Sequence, residues 1–163
     1  MENKTILYIL MRNDLPSMNA GKAMAQASHA SAQFVNKIAD KEDLSYVQWS
    51  NEGKGFGTTI VLEGSYSDIK NITSDIIIGG YEKGNIIDET YPFKGQKEII
   101  DLMDKDNIEK HNIIIVDDTV DKFGMVSCTR REHTCSWIFF SGNEEEHIKF
   151  KKICEAFNIY LHR

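Results

Sequence analysis

Early in the chain, four polar side chains that could bind an anion or move a proton recur at helical spacing. They are Lys22, Gln26, His29 and Gln33, separated by four, three and four residues, so a helix would place them on one face. Gly21 and Lys22 would then lie in its first turn, where N–H groups without helical acceptors and the helix dipole attract anions. The pattern predicts an anion-binding helix terminus, and a solvated polar face is the alternative interpretation.

His29 is a second group that could do chemistry, as a general base. On a helix it lies seven residues beyond Lys22, about 10 Å further along the axis at a rise of about 1.5 Å per residue. We therefore expect His29 to make structural hydrogen bonds rather than to transfer protons beside Lys22.

Sulfur and imidazole groups later in the chain raise the question of a metal site. Cys128, His133 and Cys135 could supply three ligands, with His147 or Cys154 as a fourth. The spacing lacks the Cys-x-x-Cys pairs of structural zinc sites, and an odd number of cysteines suits reduced thiols better than a disulfide framework. We expect reduced, buried cysteines, with no metal and no cofactor.

Two further segments carry residue types that are found in functional loops. Residues 53–59 are rich in glycine but precede a predicted strand and lack the Gly-Lys-Ser/Thr order of a phosphate-binding loop, so a flexible turn is expected. Asp117 and Asp118 follow another predicted strand. A turn there uses the same residue types, so we favour a turn over a second carboxylate site.

These groups must be positioned by secondary structure, and the sequence indicates that strands and helices alternate. Strands are predicted at residues 5–11, 58–62, 85–88, 112–116 and 135–140. Helices are predicted at residues 20–37, from 65 or 67 to 78, at 96–103, and from 144 onward after an Asn143 cap. Residues 39–57 predict a partly irregular segment. The alternation favours an α/β fold with a mixed, largely parallel sheet and helices on both faces.

Composition limits the class of protein. The 163 residues, 41% hydrophobic and 27% charged, suit one compact domain. The apolar run at 6–11 is too short for an export signal or a membrane span, so we expect a cytoplasmic protein with no membrane partner. The net charge of −6 excludes a general basic coat, so RNA contact would need a local basic patch. The residues that could form this patch are Lys54, Lys122, Arg130 and Arg131.

The first strand, loop and helix carry a longer signature. Its residues are Arg12-Asn13-Asp14-Leu15, Met18, Gly21-Lys22, Ala25-Gln26 and His29-Ala30. They resemble the opening of the peptidyl-tRNA hydrolase 2 family, with one extra residue near Pro16-Ser17. Weaker similarity continues to the strand ending at Asp88. There the family has an Asp-Ala-Gly-Arg-Thr-like segment, and this chain reads Asp88-Glu89-Thr90-Tyr91-Pro92.

The resemblance implies a translation-related hydrolase that cleaves the ester between a peptide, or an N-blocked amino acid, and the tRNA 3′ end without a metal. It implies that Lys22, Asp88 and Thr90 are catalytic. Lys22 would hold a phosphate or stabilise an oxyanion, Asp88 would orient water or the lysine, and Thr90 would supply a hydroxyl contact. The residues expected to bind substrate are Arg12, Gly21 and Gln26, and Gln26 has a scaffold role as its alternative.

We expect one domain of this type over residues 1–163, with an insertion around 93–133. The expected partner is tRNA, bound through the local basic patch, and a homodimer is left open. Two other functions stay open, because a fold does not determine a function. The first is a non-catalytic RNA-, nucleotide- or protein-binding domain on the same fold. The second is a hydrolase that acts on another acyl ester through Lys22 and Asp88.

Overall fold

The computed structural model describes residues 2–41, 43–74 and 81–162. Its strands in these ranges are β1 (Lys4–Arg12), β2 (Thr58–Gly64), β3 (Glu82–Gln96), β4 (Ile114–Asp117), β5 (Met125–Gly142) and β6 (Tyr160–Leu161). Its α-helices in these ranges are α1 (Ala20–Ile38), α2 (Leu44–Asn51), α3 (Tyr66–Ile72), α4 (Lys97–Leu102), α5 (Lys105–Lys110) and α6 (Glu144–Ala156). None of the described helices is long and apolar enough to cross a bilayer.

The strand β1 is buried at every position from Thr5 to Met11, because helices cover both of its faces. Successive side chains of a strand point to opposite faces. Ile6, Tyr8 and Leu10 pack in a core with residues of α3 and α6, and the residues between them pack in a second core with residues of α1 and α2. This two-sided burial explains the continuous apolar run, and the strand predicted at 5–11 is confirmed as β1.

The sheet has the strand order β3-β5-β1-β2-β6, with β4 beside β5. The α/β class with a mixed sheet and helices on both faces is confirmed. The sheet is less parallel than expected: of the four pairings with a described register, only β1 with β2 is parallel. Parallel neighbours need a long crossover, and α1 and α2 supply one between β1 and β2, whereas only residues 118–124 join the antiparallel neighbours β4 and β5.

Contacts divide the chain into two compact units. The first unit comprises Met1–Ile86 and Thr134–Arg163, and the second comprises Ile87–His133. The second unit has its own small apolar cluster, which contains Ile100, Val126 and Cys128. The single domain with an insertion around 93–133 stays a prediction.

The predicted helix at 20–37 and the helix after Asn143 are confirmed as α1 and α6. Asn143 and Glu146 form a reciprocal capping box at the start of α6. The helix α2 lies in the segment that was predicted to be irregular. It forms because Asp43 caps it and because Trp49 is buried, with its indole N–H donating to the Thr58 carbonyl at 2.8 Å.

Other element boundaries differ from the predicted ones. β3 and β5 are both longer than the predicted strands at 85–88 and 135–140, and the two-residue strand β6 was not predicted. The helix α3 begins after Ser65, one of the two expected caps, and ends at Ile72. Of the predicted continuation to 78, Thr73 and Ser74 are not helical, and residues 75–78 lie outside the described residues.

An aromatic cluster lies beneath α1 and is centred on Phe34, which is fully buried. The rings around Phe34 belong to Tyr46, Trp49, Trp137 and Phe139, at centroid distances from 4.8 to 6.0 Å. Edge-on and tilted arrangements at such distances favour aromatic packing beyond burial alone. The cluster and the small buried residues Ala23 and Ala30 hold α1 close to the sheet.

Candidate functional site

The N-terminus of α1 lies at the carboxyl end of β1. There β1 runs parallel to β2, and Arg12 is opposite Gly64. Asn19 caps the helix, because its side-chain oxygen accepts from the Lys22 amide at 3.0 Å. The first helical hydrogen bond runs from the Ala23 amide to the Asn19 carbonyl, so the amides of residues 20 and 21 have no acceptor within the helix. This end of the sheet combines a helix N-terminus with the strand edge at which open α/β sheets bind ligands.

The Lys22 side chain is half-buried, and its ammonium donates to the Ser17 carbonyl at 2.8 Å. This bond holds the charge against the loop between β1 and α1. The loop itself is fixed by a hydrogen bond from the Asn13 amide to the Gly64 carbonyl at 3.0 Å. The structure therefore places a positive charge at the first turn of α1, as the spacing predicted.

Arg12 lies at the end of β1 and binds Asp14 through two contacts. Its Nε is 2.8 Å from Asp14 Oδ1, and its Nη2 is 3.1 Å from Asp14 Oδ2. The guanidinium also lies 5.0 Å from the centroid of the Tyr66 ring, and the Tyr66 amide donates to Asp14 Oδ2 at 3.2 Å. These contacts join the β1–α1 loop to the start of α3. Substrate binding by Arg12 stays a prediction.

The Arg12–Asp14 pair makes stability depend on pH. Burial raises the pKa of the Asp14 carboxyl. Hydrogen bonds from Arg12 and from the Tyr66 amide, together with the positive charge of Arg12, outweigh this effect and hold the pKa below its ordinary value. A lowered folded-state pKa stabilises the fold above the unfolded value of about 3.9, and this contribution is lost as the pH falls through the folded value. We expect Asp14→Asn to lower the free energy of unfolding at neutral pH by at most about 1 kcal/mol, because solvent screens the pair.

Urea unfolding of both proteins at about pH 7 and at about pH 2.5, below the unfolded-state pKa, measures this effect. The difference between Asp14→Asn and the wild type should shrink at the lower pH. An equal loss at both values would contradict the assignment to the ionised carboxylate.

Two glutamines on the polar face of α1 are tied to β5. Gln26 is buried, and its side-chain oxygen accepts from the Thr134 hydroxyl at 2.7 Å. Two turns further along α1, the side-chain oxygen of Gln33 accepts from the Trp137 indole N–H, also at 2.7 Å. Gln26 is buried in this seam, which joins α1 to β5, whereas Gln33 reaches Trp137 from an exposed position of the helix. The seam favours the scaffold role for Gln26, and substrate binding by Gln26 stays a prediction.

His29 lies between these two glutamines but is exposed on α1. Among the described residues, none is hydrogen-bonded to its ring. The structural hydrogen bonds expected for His29 are therefore not observed in the described part of the chain.

Asp88 and Thr90 lie in β3, within the second unit. The carboxylate of Asp88 accepts from the Thr90 amide at 2.9 Å and lies 3.4 Å from the Thr90 hydroxyl. Within the strand, the side chain of Asp88 thus engages the backbone two positions ahead, a local contact that aspartate side chains commonly form. Lys22 belongs to the first unit, and each unit is described by itself. Joint catalysis by Lys22, Asp88 and Thr90 stays a prediction.

The expected basic patch contains residues of both units, with Lys54 in the first and the other three in the second. In the second unit, Arg130 Nε lies 2.9 Å from a carboxylate oxygen of Glu132, and Arg131 Nε lies 2.7 Å from one of Glu89. Acidic neighbours therefore balance both arginine charges. The basic patch stays a prediction.

The three cysteines are buried and form no disulfide. Burial raises the pKa of the Cys135 and Cys154 thiols to about 12, so both are protonated at neutral pH. Within the described ranges, no three His, Cys, Asp or Glu side chains are grouped so that they could hold a metal ion. Cys128, Cys135 and Cys154 belong to three different apolar clusters.

Several contacts of the site involve residues that the sequence analysis did not single out. They are Tyr66, through its ring and its amide, and Thr134, through its hydroxyl. Tyr66 and Thr134 are distant in sequence from the residues they contact, so no local pattern indicates them. Asn19 also contributes to the site, because it caps α1.

A comparison with protein families agrees with this geometry. The family model described as Peptidyl-tRNA hydrolase PTH2 matches residues 5–90, which is more than half of the chain. No curated protein matches the chain. The matched stretch contains β1, α1 and β2, together with Lys22, Asp88 and Thr90. The chain therefore belongs to the peptidyl-tRNA hydrolase PTH2 family.

Proposed function

We propose that this protein hydrolyses the ester that joins a peptide, or an N-blocked amino acid, to the 3′ end of tRNA. The observation that carries the proposal is Lys22 in the first turn of α1, at the carboxyl edge of the parallel pair β1 and β2. This position lies inside the stretch that the family model matches. Backbone amides and a lysine at a helix start suit the charge of a phosphate or of a developing oxyanion.

In the proposed reaction, water attacks the carbonyl carbon of the ester. The bond between that carbon and the ribose oxygen then breaks, which yields a peptide carboxylate and a tRNA hydroxyl. The carbonyl oxygen carries negative charge in the tetrahedral intermediate. An ammonium group that is held in place before the reaction stabilises this charge without reorganising. Lys22 is proposed for this role, and binding of a tRNA phosphate is its alternative role.

We include Asp88 and Thr90 as further catalytic residues, on the resemblance of the segment that begins at Asp88. Asp88 would orient the attacking water or the lysine, and Thr90 would contact the substrate through its hydroxyl. Gly21 is proposed to contact the tRNA, because a glycine lets a ligand approach the helix backbone closely. Arg12 and Gln26 are proposed to support substrate binding by holding the loop and helix that carry Lys22.

A non-catalytic tRNA-binding protein is the second candidate function. The observation that favours it is the engagement of the Asp88 carboxylate with Thr90 of its own strand. Such a protein would keep the anion-binding helix terminus and bind tRNA without turnover.

Release of labelled peptide from an N-blocked aminoacyl-tRNA tests the proposal. We expect turnover by the wild type and a loss of about 100-fold in Asp88→Asn, the size typical of a general acid–base or water-orienting group. Asp117→Asn is a matched control, because Asp117 also accepts from the amide two residues ahead, that of Thr119, at 2.9 Å. The control should stay within about twofold of the wild type, since a surface turn alone has little effect on activity.

The outcomes of this assay separate the two candidate functions. If the wild type binds tRNA but shows no turnover, the non-catalytic binder replaces the hydrolase as the proposed function. An equal loss of turnover in Asp88→Asn and Asp117→Asn would remove Asp88 from the catalytic residues. The contact that both carboxylates make with the amide two residues ahead would then explain both losses.

Gly21 gives a separate test of the helix terminus. A Cβ atom at this position would meet only Asn19 Oδ1 within 4 Å, at 3.5 Å, which is an ordinary contact. The fold therefore has no steric need for glycine here. Gly21→Ala should stabilise the protein by up to about 1 kcal/mol, because alanine is the better helix former. We expect the KM for the tRNA substrate to rise by about fivefold, since the added methyl group would hinder a ligand on the helix start.

Thermal unfolding and steady-state kinetics measure the two effects of Gly21→Ala in parallel. Ser28→Ala, at an exposed position of the same helix, is the control and should leave KM unchanged. A more stable Gly21→Ala variant with an unchanged KM would show that the tRNA does not approach this residue.

A further inference from the structure

A cavity of about 310 Å³ lies in the first unit, on the face of the sheet opposite α1. Its walls are apolar side chains of β1, β2 and α6, among them Ile6, Ile60, Leu62 and Phe150. Protein sites for small molecules have volumes of about 300 to 1,000 Å³ and mostly apolar walls. The cavity therefore has the size and lining of a site for a small ligand.

The cavity is separate from the site proposed for ester hydrolysis. Lys4, which begins β1, lines the cavity, whereas α1 follows the opposite end of the strand after Arg12. The nine residues from Lys4 to Arg12 make eight steps, which span about 26 Å at the rise of a strand. The cavity residues and α1 also pack on opposite faces of the sheet, so a ligand in the cavity has no direct contact with the first turn of α1.

The polar groups in the cavity wall already satisfy one another. The His147 Nε2 atom lies 2.9 Å from the Lys4 carbonyl, and its Nδ1 atom lies 2.8 Å from the Tyr8 hydroxyl. A carbonyl can only accept, so Nε2 carries a hydrogen, and in the neutral ring Nδ1 accepts from Tyr8. The wall consequently presents carbon surface to a ligand, and the burial of these groups does not depend on one.

The mouth of the cavity combines apolar side chains with an excess of positive charge. Ile148 and Leu161 line the cavity and remain 49% and 63% exposed. The charged side chains of the lining are Lys4 and Lys151, opposed by one carboxylate, Glu144. A ligand that covers the exposed carbon surface and brings a negative charge would match both features.

We propose that this cavity binds a small amphiphile with an aliphatic chain and an anionic head group, of the class of medium-chain carboxylates. The chain lies among Ile6, Ile60, Leu62 and Phe150, and the carboxylate lies at the mouth beside Lys151 and Lys4. The site is independent of tRNA hydrolysis and is a second binding function of the protein.

Titration of the full-length protein with octanoate tests the proposal, with 1-octanol as the uncharged probe of the same chain length. Chemical shifts of backbone amides locate the site, and calorimetry gives the affinity. We expect octanoate to shift residues of β1, β2 and α6 around the cavity. Lys151→Glu should weaken octanoate by about fivefold, because it replaces a surface attraction with a repulsion, and should leave 1-octanol unchanged.

Lys152→Glu is the matched control. Lys152 is exposed on the same helix and does not line the cavity, so this variant should bind octanoate like the wild type. Ile60→Trp should abolish binding of both probes by filling the cavity, with its fold checked by circular dichroism. If Ile60→Trp does not fold, the two charge variants still decide the result.

Three results would overturn the proposal. The first is no binding of octanoate up to its solubility limit. The second is an equal loss of octanoate affinity in Lys151→Glu and Lys152→Glu, since general surface charge would then explain the binding. The third is a shift of the cavity residues with protein concentration in the absence of octanoate, which would assign the surface to a second copy of the chain.

Discussion

Replacing Lys22 with alanine is expected to lower kcat/KM for peptidyl-tRNA by about 100- to 1,000-fold, while the protein stays folded. This is the loss seen when one preorganised donor to a developing oxyanion is removed. The side chain is half-buried, its ammonium donates to the Ser17 carbonyl in a loop, and it belongs to none of the apolar clusters, so its removal leaves the apolar cores intact. Single-turnover release of labelled peptide measures the effect, and circular dichroism confirms the fold.

The kinetic parameter that changes distinguishes the two roles proposed for Lys22. A fall in kcat at an unchanged KM identifies stabilisation of the transition state, whereas a rise in KM at an unchanged kcat identifies binding of a tRNA phosphate. Phosphate binding would also make the dependence of affinity on salt concentration shallower in Lys22→Ala, since one fewer counterion is released. Lys22→Arg keeps the charge but not the compact ammonium geometry, so it should rescue phosphate binding better than oxyanion stabilisation.

His29→Ala is the matched control for Lys22→Ala on the same helix. His29 is exposed and lies about 10 Å from Lys22 along the helix axis. We therefore expect the activity of His29→Ala to stay within about twofold of the wild type. A loss in His29→Ala comparable to that in Lys22→Ala would assign the general base to His29. Unchanged activity in Lys22→Ala would remove the main support for the proposed site.

Truncating Phe34 to alanine is expected to lower the free energy of unfolding by about 4 kcal/mol, the middle of the range for buried phenylalanines. Phe34 is fully buried, and four aromatic rings surround it. The loss combines the transfer of its ring to water with a cavity that large, rigid neighbours cannot collapse to fill. Chemical unfolding followed by tryptophan fluorescence measures it directly, because Trp49 and Trp137 are in contact with the ring.

Two further variants serve as controls for the stability of Phe34→Ala. Phe34→Leu should cost less, about 1.5 kcal/mol, because it keeps most of the buried volume. Phe56→Ala removes the same side chain from a position that is 82% exposed and should change stability by less than about 0.5 kcal/mol. A Phe34→Ala variant as stable as Phe56→Ala would show that the aromatic cluster does not anchor α1.

The elements that could be predicted from the sequence are those whose local pattern and final environment agree. The apolar run of β1 predicts a strand covered on both faces, and the capping box at Asn143 predicts the start of α6. The helix α2 could not be predicted in this way, because it is short, has no apolar periodicity and buries only Trp49. The two-residue strand β6 depends on its pairing with Leu62 and Glu63 of β2, which no local signal indicates.

The same distinction holds for the candidate site. The spacing of Gly21 and Lys22 with Asn19 is local, so the helix terminus could be predicted. The contacts that support it are between distant parts of the chain, and they decide what the polar face of α1 does. The periodicity is equally consistent with a face bonded only to water and with a face whose glutamines bond to the sheet. The contact between Gln26 and Thr134, which is 108 residues further along the chain, distinguishes these two interpretations.

The seam of two glutamine bonds between α1 and β5 also fixes how far α1 can slide along the sheet. Gln26 and Gln33 are seven residues apart on a helix, about 10 Å, and their partners Thr134 and Trp137 are three residues apart on a strand, also about 10 Å. Because the two spacings match, both hydrogen bonds can form together at only one position of α1 along the sheet. A slip of one helical turn, about 5.4 Å, would separate both pairs at once and leave buried polar groups without partners. The seam thus sets the position of Lys22 from a distance, one and three turns away along the helix.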